Sequence, residues 1–158
     1  MFRSCRPPFP VILGLNGHVD EPLDDAHQVP DEVSETTVAA LGALSKALET
    51  TERARGHLYG LHQLTGTADF ELDDAVKLLR EAGHEAQARL VEREVLGRNV
   101  IPGHWTFQIV EAYNETYYRP FVAIEQDIVA QLAGGRNHLH EARLKQRRRT
   151  EGHPDHTL

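Results

Sequence analysis

One cysteine, one methionine and one tryptophan are spread over 158 residues, and only ten side chains are aromatic. Cys5 has no second cysteine to pair with in the chain, which excludes an internal disulfide scaffold. No apolar run approaches the roughly 20 residues that a membrane-spanning helix needs. The chain also lacks a Walker loop, a Gly-x-Gly-x-x-Gly turn after a strand, a Gly-x-Ser-x-Gly elbow and a His-Glu-x-x-His helix. Nucleotide-fold and zinc-finger readings lose their support, and no cofactor or metal is expected.

What is present suits one soluble, cytoplasmic domain. Hydrophobic residues make up 40% of the chain, and 17 basic against 24 acidic groups leave a net charge of −7. A chain of this length can bury roughly 70% of its unfolded surface without metal or disulfide.

The composition divides the chain into three parts. Residues 1–32 hold five of the eight prolines and a run of Asp and Glu without a sustained period. They read as a disordered leader rather than a signal peptide, because prolines break the one short apolar stretch. Residues 33–135 carry helical periodicity and read as the bundle domain. Residues 136–158 form a tail, partly helical or disordered. Within it, 136–149 set six basic residues against Glu141 alone, a charge balance that suggests a solvated appendage.

Within the bundle domain the fold class is all-α, an antiparallel bundle of three long helices. The first runs from Ser34 to about Leu64 and stops at Gly66. Asp69 then caps a second helix that reaches Gly97, with a kink or break at Gly83. The third spans Trp105 to Ala133 and is kinked or divided at Pro120 before Gly134 and Gly135 end it.

Helical phase selects the candidate sites. With Leu41 at 0° and about 100° per residue, Leu44 and Leu48 mark the core-facing stripe of the first helix. Glu52, Arg55, Tyr59 and His62 share that stripe, at about 20°, 320°, 0° and 300°. Buried charge is costly unless paired, so these residues predict a polar network in the bundle seam. With Tyr113 or Tyr117 of the third helix they would instead line a pocket, with His62 as an acid/base group or a metal ligand. Glu81 with His84 has the Glu-x-x-His spacing of a diiron helix, but the pair faces away from the apolar stripe, at about 180° and 120° from Leu72.

The third helix holds six of the ten aromatic residues, in a face that suits a core or a homodimer surface. Arg143, Lys145, Arg147, Arg148 and Arg149 are the candidate contacts to nucleic acid, although no nucleic-acid-binding motif accompanies them. The expected function is association as a homodimer that buries part of the aromatic face. Two alternatives stand beside it: a small-molecule- or metal-binding bundle, enzymes included, with a pocket between helices one and three, and a nucleic-acid accessory protein. No residue is assigned a catalytic role. The first reading requires that the polar seam residues pair with one another; the second requires that they converge on a concave site.

Overall fold

The computed structural model describes residues 25–150 and 152–156. The expected leader lies outside these residues up to position 24. The regular structure of the described residues is all helical, with an isolated bridge between Ile101 and His104 beside it.

Helix α1 runs from Glu35 to Glu81. Ser34 caps it through its hydroxyl, which accepts from the Thr37 backbone N–H at 3.1 Å. At 1.5 Å per residue its 47 residues extend about 70 Å. The expected stop at Gly66 does not occur. One mid-helix glycine costs only about 1 kcal/mol, and the half-buried row of Leu58, Thr65, Leu72 and Leu79, seven residues apart, passes straight through it. Asp69 is correspondingly inside α1 rather than at a helix start. Its carboxylate accepts the Gly97 backbone N–H at 2.7 Å and ties the following loop to the helix.

The break comes at Gly83, whose φ of 82° is open to glycine at no steric cost. There the His84 N–H reaches back to the Leu79 carbonyl at 2.8 Å, closing the helix end. Helix α2 (Glu85–Glu94) folds back on α1, burying Ala88 and Val76. Arg80 clamps the two helices through Glu92 at 2.5 Å and Glu85 at 3.3 Å. These carboxylates hold its guanidinium more firmly charged than usual, the Glu92 hydrogen bond most of all.

Helix α3 (Thr106–Tyr113), a π-helical turn (Asn114–Tyr118) and α4 (Arg119–Ala133) form one unbroken helix. Pro120 has no N–H to give to the carbonyl four residues back, and its ring crowds that carbonyl. The π turn widens the helix there, so that the Arg119 N–H bonds to Asn114 five residues earlier. The proline is passed without a break. After Gly134, α5 (Leu139–Arg148) follows.

The described chain thus has four continuous helices where three were expected. Contacts between α1 and α3–α4 run in opposite order along the two. Val38 and Leu41 share a core with Val129, Ala133 and Leu139, and Val29 and Val33 pack against it. Leu139 and Ala142 are both buried, so α5 is packed structure rather than a solvated appendage. Gly42 permits this. A Cβ there would lie 2.6 Å from the Cβ of His140, so only glycine lets the start of α5 come this close to α1.

Among the described residues no helix is long and apolar enough to cross a membrane.

Candidate functional site

The residues facing α3–α4 from α1 change in character along the helix. Val38 and Leu41 give way to Ser45, Glu52, Arg55, Tyr59 and His62 at spacings of three, four and seven. Each finds a polar partner. Ser45 donates to the buried Glu125 carboxylate at 2.6 Å, and His62 Nδ1 shares a hydrogen bond with Thr106 Oγ1 at 2.8 Å.

Between these ends the π turn supplies the partners. Arg55 Nε donates to Asn114 Oδ1 at 2.8 Å, and Asn114 Nδ2 donates to the Tyr59 hydroxyl at 3.3 Å. Tyr118 donates its hydroxyl proton to Glu52, which also lies 3.5 Å from Arg55 Nη1. The Arg55 guanidinium sits 4.3 Å from the Tyr118 ring centroid and 5.3 Å from that of Tyr59. A cation between two ring faces gains from both quadrupoles while its N–H groups stay hydrogen-bonded.

The hydrogen bond to Glu52 favours the neutral phenol, and desolvation adds to it. Together they push Tyr118 above its ordinary value, against the smaller opposing pull of Arg55.

The four candidates of α1 are thus brought together on one seam, but their partners are Thr106, Asn114 and Tyr118. Tyr113 and Tyr117 lie on the neighbouring face. Their rings stand 5.6 Å apart, and Tyr117 continues to Phe121 at 6.2 Å. Asn114 and Tyr118 are each one residue beyond an expected tyrosine, a rotation of about 100°. Pro120 was the available signal that this helix departs from regular α geometry in the turn before it.

The remaining candidates are dispersed. Glu81 lies at ion-pair distance from Lys77, while His84 stands at the N-cap of α2. Among the described residues no three His, Cys, Asp or Glu side chains gather in a way that could hold a metal ion. In the tail, Arg143 pairs with Glu35 at 2.7 Å, so one of the five proposed nucleic-acid contacts is engaged with the first turn of α1. Lys145, Arg147 and Arg148 are exposed in the last turn of α5, where positive charge suits the helix dipole, and Arg149 is half-buried.

A groove of about 600 Å³ adjoins the end of the polar seam, with Thr106 in its lining. Leu72, Val95, Val100 and Trp105 give it apolar walls, and Asp69 and Arg98 also line it.

The chain matches no protein-family model, no curated protein and no solved structure.

Proposed function

We propose that this chain works by association and that its functional unit is a homodimer. The observation that carries the reading is the large apolar surface left uncovered. The polar side chains of the α1 seam, half-buried or exposed, are paired within the chain, while large apolar side chains on the outer faces are exposed. Leu64 is 71% exposed and Phe70 77% on α1; Tyr117 is 53% and Ile124 56% exposed on the aromatic face of α3–α4. Isolated exposed leucines need no explanation, but apolar faces repeated along two helices suit contact with another chain.

The pairing of Glu52, Arg55, Tyr59 and His62 with partners in the same chain supports association over catalysis. Their hydrogen-bonding capacity is directed at Asn114, Tyr118 and Thr106. A network of this kind fixes the register of two helices.

Size-exclusion chromatography with light scattering over a dilution series tests the reading. A dimer that dissociates on dilution is expected, and a monomer at every concentration contradicts it.

A second reading, ligand binding, is favoured by the groove beside Trp105. Trp105 is the chain's only tryptophan, so its fluorescence reports directly on that groove. A saturable shift with a small apolar molecule would support ligand binding there.

A further inference from the structure

The outer face of α1 carries a second seven-residue repeat, opposite the seam that packs on α3–α4. Ala47, Ala54, Leu61, Ala68 and Ala75 recur every seven residues, and all are exposed. Three residues beyond each stand Thr50, His57, Leu64, Glu71 and Leu78, also exposed. This is the alternating three-and-four spacing of a coiled-coil seam. Leu61, Leu64 and Leu78 are 52%, 71% and 62% exposed, so nothing in the described chain covers it.

The charges flanking this seam have an order of their own. On its open side, one residue before each position of the first series, stand Lys46, Arg53, Gly60, Thr67 and Asp74, and Glu81 continues the spacing at the end of α1. Both cations come first, both anions last, and small residues occupy the middle. A parallel pair of such helices would set Arg53 against Arg53 and Asp74 against Asp74. An antiparallel pair sets Arg53 against Asp74 and Lys46 against Glu81, twice each by symmetry. The same register places Leu61 of one copy against Leu64 of the other and brings Gly60 to Thr67, where the backbones are least obstructed. The central leucine layers and the flanking charges therefore agree on one orientation and one register, while Thr50, His57 and Glu71 each face an alanine of the partner helix.

We infer that α1 is the dimer interface, pairing antiparallel with α1 of a second copy about a two-fold axis beside residues 62 and 63, with Arg53 facing Asp74 across it. This rests on the self-association proposed above and names its surface. The other side of the seam is flanked by Thr51, Leu58, Thr65, Leu72 and Leu79, which are buried or half-buried. The charges on the open side therefore set the orientation. Lys46 and Asp74 form no ion pair among the described residues, and Arg53 donates only to Thr50 at 2.9 Å. All three are free to be used between copies.

The test is a charge exchange in the full chain, read as the dimer dissociation constant by sedimentation velocity. Arg53→Asp and Asp74→Arg should each weaken the dimer about tenfold, since each places like charges together at two symmetric points. Arg53→Asp combined with Asp74→Arg should return to within about threefold of the wild type, because the exchange restores both pairs. Residues 53 and 74 lie about 30 Å apart along one helix, so rescue cannot arise within a chain. Leu64→Glu, at an exposed position, should weaken the dimer at least about a hundredfold with the circular dichroism of the wild type retained.

Single variants that dimerise like the wild type, a double variant weaker than either single, or a dimer untouched by Leu64→Glu but dissociated by Tyr117→Glu would each overturn the α1 interface while leaving self-association intact. A wild-type chain that stays monomeric at every concentration would remove self-association itself, and the α1 interface with it.

Discussion

Arg55 and Asn114 meet at 2.8 Å, and around this one hydrogen bond the register of α1 against α3–α4 is organised. Asn114 accepts from Arg55 and donates to Tyr59 from a π turn that exists because Pro120 follows it. Asn114→Ala removes both bonds and leaves the Arg55 Nε–H without its acceptor. Because the site is only partly buried, a loss of about 1–2 kcal/mol in urea unfolding is expected. Arg55→Lys should also lower stability in the same measurement, since an ammonium cannot reproduce a planar group set over two tyrosine rings.

How much of this was legible in the sequence depends on whether a feature follows from spacing alone. Glu52, Arg55, Tyr59 and His62 could be placed on one seam because α1 is regular and phase accumulates predictably along it. The continuation through Gly66 was obscured by reading a glycine as a stop, although Thr65 and Leu72 carry the repeat across. Asn114 and Tyr118 were hidden because the aromatic stripe singles out Tyr113 and Tyr117, whose neighbours one residue on face α1 instead. Leu139 and Ala142 were hidden by the arginines that follow them, since net charge reports the outer face of a helix and says nothing of the inner one.

Gly42 offers the sharpest contrast in packing. Gly42→Ala gains helix propensity but drives a methyl group to within 2.6 Å of His140, where a side-chain tip cannot simply swing away. The expected result is a net loss of about 1–2 kcal/mol, overpacking outweighing the propensity gain. Gly56 in the same helix has nothing within 4 Å of a Cβ. Gly56→Ala should therefore stabilise by about 0.5–1 kcal/mol, and thermal unfolding of the two variants separates the effects.

Tyr118 gives the pH dependence of the seam. Its phenol is held above the ordinary value of 10.0, chiefly by its hydrogen bond to Glu52. A raised folded value means that the folded chain holds the proton more tightly. The stabilisation is present in full below the ordinary value and is lost as pH rises through the higher folded one. Absorbance titration should show one tyrosine ionising late. Tyr118→Phe should remove that step, and Glu52→Gln should bring it to lower pH.

Asp69 links the loop after α2 to the middle of α1 by accepting the Gly97 N–H. Asp69→Ala should cost about 1 kcal/mol and loosen the groove wall that includes Trp105. Tryptophan emission should shift and become more accessible to a soluble quencher. Asp69→Asn, which keeps an acceptor oxygen, should preserve most of the wild-type signal.

Self-association is the centre of the account, and native mass spectrometry of the full chain tests it most directly. The account predicts a species of twice 17.8 kDa with no additional bound mass, in equilibrium with monomer on dilution. A single species at 17.8 kDa at every concentration, or a monomer carrying a tightly held small molecule, would contradict it.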